Sequence, residues 1–174
     1  MTNTVKNTNI QEKFANAEVK GRELFINYLR EKGINQINYG SQLQEWDIWF
    51  YNKLKCKCYI ELKYRWKYNS TDKVIKNEGI LFEEKKFDNL KHYQITNYEY
   101  DNNSKYYYVS LFADGVGYSH QINIDDKNSY KWVNKKLPYS TVAKWGDKQK
   151  KITYIPLEEC KQFTYTINTN ANTK

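Results

Sequence analysis

Three residues of this sequence have the types and spacing to do chemistry together: Asp47, Glu61 and Lys63. Asp47 opens the run Asp47-Ile-Trp-Phe-Tyr51, and Glu61 follows fourteen residues later inside Cys56-Lys-Cys-Tyr-Ile-Glu-Leu-Lys63. Side chains alternate along a strand, so Ile48 and Phe50 share one face while Asp47, Trp49 and Tyr51 share the other. In the second run Cys58, Ile60 and Leu62 share a face, and Lys57, Tyr59, Glu61 and Lys63 the opposite one. Setting the two apolar sets against one core leaves Asp47, Glu61 and Lys63 projecting together. Two carboxylates and an amine so placed suit hydrolysis of a phosphodiester, in which water must reach an anionic phosphorus against charge repulsion. A hard cation between the acids binds a phosphate oxygen, lowers the pKa of its water and steadies the leaving oxygen. The lysine can orient the attacking water or offset the charge of the pentavalent phosphorane.

A β-hairpin has to position these groups. The polar stretch Asn52-Lys-Leu-Lys55 separates two alternating runs, which is the pattern of a hairpin turn. Asp47 stands opposite Glu61 if the turn centres on Leu54, with a loop of three or five residues. Cross-strand neighbours then lie about 4.5–5.5 Å apart at Cβ, close enough to share one Mg²⁺ with ligand distances of about 2.0–2.1 Å. A helix is expected before the hairpin, roughly Ala15 to Lys32. Gly21, Phe25, Tyr28 and Leu29 fall on one stripe with Leu24 beside it, and Gly33 is a left-handed cap. Trp49 and Tyr59 are expected to pack against this helix.

Around that centre the pattern predicts a short strand near Gln36 to Tyr39, a loop over Thr71 to Gly79 and a helix over Phe82 to Tyr93, with Phe87 and Leu90 inward. Strands follow at Tyr106 to Phe112 and Val116 to Ile124, joined at the turn pair Asp114-Gly115. Lys131 to Gln149 is ambiguous, and Lys151 to Ile155 reads as an edge strand halted by Pro156. The alternation of helices and hairpins defines an α/β fold, a mixed central sheet flanked by helices. The expected organisation is one domain over residues 11–165, with flexible ends at 1–10 and 166–174.

Composition narrows the partners. The 174 residues carry a net charge of +8, which favours a polyanion, because lysine and arginine release counterions from phosphates. An AT-rich genome also inflates Lys, Asn, Ile and Tyr, so charge alone decides nothing. Arg65, Lys67, Lys85 and Lys86 lie where a phosphate backbone could pass. The three cysteines, Cys56, Cys58 and Cys160, make neither a disulfide framework nor a zinc site. The absence of an apolar leader or spanning run points to a cytoplasmic protein without a membrane partner. His92 and His120 are isolated and take no role.

The residues Asp47…Ile60-Glu61-Leu62-Lys63 resemble the D…(D/E)-x-K signature of the PD-(D/E)xK, or restriction-endonuclease-like, nucleases. Ile60-Glu61-Leu62-Lys63-Tyr64-Arg65 looks like the strand that ends in E-V-K-x-R in many of them. The helix closing in Tyr28-Leu29-Arg30-Glu31-Lys32-Gly33 is similar to the family's opening helix. The resemblance covers about residues 15 to 95, and the Tyr106–Ile124 hairpin is similar to strands that complete the sheet in small phage-encoded members. Trp46 stands where the family's proline would precede the first acid.

The resemblance implies an endonuclease using Mg²⁺ or Mn²⁺, with DNA preferred over RNA, and a homodimer that cuts two strands. Asp47 and Glu61 would hold the metal, with the carbonyl of Leu62, and Lys63 would assist the water. The family often adds a glutamate from the first helix. Here Glu18 fits by helical face and Glu23 by distance to Gly33; Glu18 is the choice. The small size suggests structure-selective cleavage, as of branched DNA. The alternative is a basic, non-catalytic nucleic-acid-binding or phage accessory protein on a nuclease fold.

Overall fold

The computed structural model describes residues 3–39, 47–96, 103–138 and 147–167. It opens with α1, Asn3–Glu31, which begins well before the expected start near Ala15 and takes in most of the end expected to fray. Leu24, Phe25 and Leu29 bury one face of this helix. It stops at Gly33, whose φ of 82° is the left-handed conformation that a side chain resists. There the Gly33 N–H donates to the Arg30 carbonyl (2.9 Å) and the Ile34 N–H to the Leu29 carbonyl (3.0 Å), using carbonyls the helix would otherwise orphan.

Three strands follow as an antiparallel meander: β1 (Ile37–Tyr39), β2 (Ile48–Tyr51) and β3 (Lys57–Arg65). Tyr51 pairs with Lys57 and Ile48 with Ile60, so the β2–β3 loop has the five-residue length. Its geometry comes from Asn52, whose side-chain oxygen accepts from the N–H groups of Leu54 (2.9 Å) and Cys56 (3.0 Å).

The chain then forms α2 (Lys73–Glu78), β4 (Ile80–Glu83) and α3 (Glu84–Thr96) before β5 (Lys105–Phe112). β5 lies parallel to β3, with Glu61 beside Tyr108 and Lys63 beside Ser110. A parallel pair needs a long crossover, and α3 lies within it. After β6 (Val116–Gln121) come β7 (Val133–Pro138), β8 (Asp147–Ile155) and β9 (Lys161–Thr164). One sheet has the order β1-β2-β3-β5-β6-β9 and mixed direction; a second has the order β4-β8-β7. The α/β class with a mixed sheet is thus the architecture found. Among the described residues no helix is long and apolar enough to cross a membrane.

The first sheet is covered on both faces. Ile48, Phe50, Cys58, Ile60, Val109 and Leu111 meet α1 on one side. Tyr59, Tyr106, Tyr108 and Phe112 meet Phe82, Phe87 and Leu90 on the other. This corrects the expected place of Tyr59 and Trp49, which belong to the second cluster and not to the α1 side. Tyr59 stacks on Tyr106 at 5.3 Å and meets Tyr93 edge-on at 5.2 Å. The alternation was right, but the face opposite α1 has its own cover.

The second sheet also corrects three expectations. Thr71–Gly79 contains α2, not only loop. The helix expected at Phe82 is preceded by a strand holding that residue. Lys151–Ile155 lies in the middle strand, paired with β4 on one edge and β7 on the other, rather than at an edge. Pro156 does follow it directly. The polar tail from residue 168 onward lies outside the described residues.

Candidate functional site

The site lies at a fork where β2 leaves β3. The β2–β3 pairing ends at Ile48 with Ile60, and one step further along that register sets Asp47 opposite Glu61. Two bonds hold the fork: the Asp47 N–H donates to the Ile60 carbonyl at 2.8 Å, and Asp47 Oδ2 accepts from the Leu62 N–H at 2.8 Å. The carboxylate thus satisfies a strand donor where the ladder gives out. Its other oxygen, Oδ1, accepts from Arg22 Nη2 of α1 at 3.4 Å.

Glu61 lies on the strand face that carries Tyr59 and meets α3, where its side chain is almost wholly buried. The Lys86 ammonium of α3 stands 2.6 Å from Glu61 Oε1. Burial pushes the Glu61 carboxyl up from the ordinary 4.5 to about 7; Lys86 works against this, Asp47 adds to it, and Lys63 opposes it weakly. Removal from water disfavours the charged form more than one ammonium restores it. Burial pulls Lys86 down, but Glu61 and then Asp47 outweigh it and hold its pKa above the ordinary value.

Lys63 is half-exposed, its Nζ 3.9 Å from Glu18 Oε1 on α1. Glu18 and Arg22 are four residues apart and so share one helical face; one meets Lys63 and the other Asp47. Glu23, the rival candidate, is exposed. The helix can lie this close because of Gly21: a Cβ there would stand 2.5 Å from Tyr64 Cβ.

The four cations expected along a phosphate path have separate fates. Lys85 is exposed on α3, and Lys67 is exposed with its Nζ 4.7 Å over the Trp66 ring. Lys86 is at the centre of the site, bound to an acid. Arg65 braces the interior: Nε donates to Ser110 Oγ (3.2 Å), and Nη2 to the Leu81 carbonyl (2.8 Å) and Tyr108 Oη (3.3 Å). Those bonds tie β3 and β5 to β4 beside Glu61, so Arg65 serves first as a support for the strand.

Sequence reasoning missed Arg22 as a partner of Asp47 and Lys86 as a partner of Glu61. Both had a helical signal. Arg22 lies one turn beyond Glu18, and Lys86 lies one turn before the inward Leu90.

Among the described residues no group of three or more His, Cys, Asp or Glu side chains gathers as a metal cage. Mg²⁺ does not need one, since it keeps several waters and takes one or two carboxylates. Asp47 and Glu61, hard oxygen donors at opposed strand positions, fit that requirement. No protein-family model matches this chain, and no curated protein matches it.

Proposed function

We propose that the protein is a metal-dependent endonuclease of the PD-(D/E)xK type, acting on DNA in preference to RNA. The observation that carries this reading is the fork itself. It sets Asp47 opposite a buried Glu61, with Lys63 two residues on and Lys86 against the buried acid. A solvated charge ladder has no reason to bury its glutamate and push that pKa to about 7; functional sites commonly do so.

In this reading Asp47 and Glu61 hold Mg²⁺ or Mn²⁺, with the carbonyl of Leu62 as a further ligand. When bound, the ion supplies Lewis-acid activation of water and neutralisation of phosphate charge. Lys63 orients the attacking water and offsets charge on phosphorus. Arg22 and the Leu62 N–H fix the Asp47 carboxylate, and Arg65 fixes the strand that carries Glu61. Branched DNA is the proposed substrate form and a homodimer the working state. The three free cysteines suit a reducing cytoplasm.

The test is incubation with branched, single-stranded and duplex DNA, with Mg²⁺ or Mn²⁺ and with EDTA. Products that need the metal are expected. No cutting of any DNA or RNA form with either metal would end the reading.

One observation favours a second reading, a non-catalytic nucleic-acid-binding protein: each of the two acids has a cationic side chain as its partner, Arg22 for Asp47 and Lys86 for Glu61. That protein would bind DNA equally well with or without divalent ions. Its affinity would still fall steeply with salt, as the charge of +8 requires.

A further inference from the structure

Glu61 is buried, and among the described residues its one close cation is Lys86, with Nζ at 2.6 Å. A carboxylate out of water needs a counter-charge, and an ion held by Asp47 and Glu61 would seek the same oxygen. Two cations cannot share that space cheaply, because an ammonium and a divalent ion a few ångström apart and away from bulk water repel strongly. Lys86 has somewhere to go, because its own side chain is 40% exposed although its partner's is only 5% exposed. Its neighbour along α3, Lys85, points outward, and a few rotations of a flexible four-carbon stem would carry the Lys86 ammonium the same way.

From this we propose that Lys86 is a built-in stand-in for the divalent ion, a positioning residue that holds Glu61 until the metal binds and is then displaced. The proposal rests on the nuclease reading above. It reconciles two roles for one residue. Before metal binds, Lys86 gives a buried carboxylate its counter-charge and orients it. Once displaced, the freed ammonium sits at the mouth of the site as a charge for a phosphate to meet. Arg22 does not need to move in the same way, because Asp47 has a second anchor in the Leu62 N–H.

The experiment is amine labelling of the wild-type protein with a small acylating reagent, read lysine by lysine by mass spectrometry, with and without Mn²⁺. Metal binding is measured in parallel by calorimetry under the same conditions. Lys86 labelling should rise severalfold with Mn²⁺ while Lys85 labelling stays constant. In Glu61→Gln, Lys86 should label readily from the start and ignore the metal. Lys86→Met, which keeps the stem and lies on a part-exposed helix position, should bind Mn²⁺ about tenfold more tightly, equivalent to 1.4 kcal/mol.

Mn²⁺ binding with unchanged Lys86 labelling overturns the exchange and leaves the nuclease reading standing. No Mn²⁺ binding by the wild type or by Lys86→Met overturns both.

Discussion

Glutamate meets lysine in two regions of this molecule, with opposite consequences. At the fork, Glu61 is buried, takes one ammonium at 2.6 Å and has its pKa raised to about 7. At the start of α3, Glu84 takes two ammonium groups, Lys127 and Lys151, each at 2.9 Å. Burial pushes Glu84 up as well, but the two lysines outweigh it and leave its pKa below the ordinary value. The difference is desolvation and neighbours. Glu84 is partly covered and meets two cations, whereas Glu61 is more deeply buried and, among the described residues, meets one close cation and the field of another acid, Asp47. The pairs at the second sheet fasten β8 to α3 and β4, with Lys150 on Glu83 at 3.1 Å beside them. The pair at the fork stores an unfavourable charge, and stored charge of that kind is where function is to be sought.

The comparison breaks most visibly in activity. Asp47→Asn or Glu61→Gln should lower the rate of metal-dependent cleavage by about a hundredfold or more, since each removes charge that must be in place before the transition state forms. Lys151→Met should leave the rate within about twofold, in keeping with a surface pair. Initial rates on one branched substrate measure both; equal losses in the two regions would show that the fork has no special role.

Stability against pH should separate the regions next. A carboxyl raised in the folded state favours folding while protonated, so Glu61 gives its full benefit below the unfolded pKa. That benefit is lost as pH rises from 4.5 through about 7, at a cost on the order of 3 kcal/mol. Urea midpoints of the metal-free protein should fall from pH 5 to pH 8.5, and those of Glu61→Gln should not. At pH 8.5 the variant should be the more stable by about 1–3 kcal/mol. Mg²⁺ should restore the wild type and leave the variant unchanged. A wild type as stable at pH 8.5 as at pH 5, without metal, would remove the stored charge from the argument.

How much of this was legible in the sequence depends on whether the interaction was local. The β2–β3 register follows from Ile48, Phe50, Cys58 and Ile60, because a slip of one residue would take one strand's pair off the face that α1 covers. The end of α1 was written in Gly33, and the β5–β6 turn in Gly115, whose φ is 78°. The second sheet was not legible, because β4 pairs with β8 from some seventy residues away. Short runs such as Ile80–Glu83 have no period long enough to distinguish strand from helix. Tyr59 went to the wrong side for the same reason: alternation reports which residues share a face, but not what covers it. At the site, the acids and Lys63 could be named from spacing along one hairpin. Arg22 and Lys86 come from two helices that the sequence places near it only through tertiary packing.

Gly21 offers a way to move the fork without touching a charge. An alanine Cβ there would stand 2.5 Å from Tyr64 Cβ, so α1 must back away from β3, at a cost of about 1–3 kcal/mol. Glu18 and Arg22 lie within one turn of it, so Gly21→Ala should also loosen their contacts with Lys63 and Asp47. Thermal unfolding and cleavage rate should therefore fall together, the rate more than the lost stability explains. Loss of stability with an unchanged rate would show that α1 supports the fold and not the site.

The smallest effect is expected at the second sheet, and its sign tests the other half of the comparison. Lys151→Met removes one of two ammonium groups on Glu84, and Lys127 remains at 2.9 Å. The Lys151 side chain is 49% exposed, so its pair is screened by water and salt and should contribute no more than about 0.5 kcal/mol. A carboxyl depressed in the folded state stabilises above the unfolded pKa and loses that contribution as pH falls through the folded value. The deficit of Lys151→Met should thus be present at pH 7, shrink in high salt and vanish on acidification as Glu84 takes its proton. That is the reverse of the pH course expected for Glu61. A double-mutant cycle with Glu84→Gln isolates the pair from the loss of the lysine stem. A coupling well above 1 kcal/mol, or one that grows as pH falls, would mean that the partly covered Glu84 behaves like Glu61 and that the two regions differ less than their partners imply.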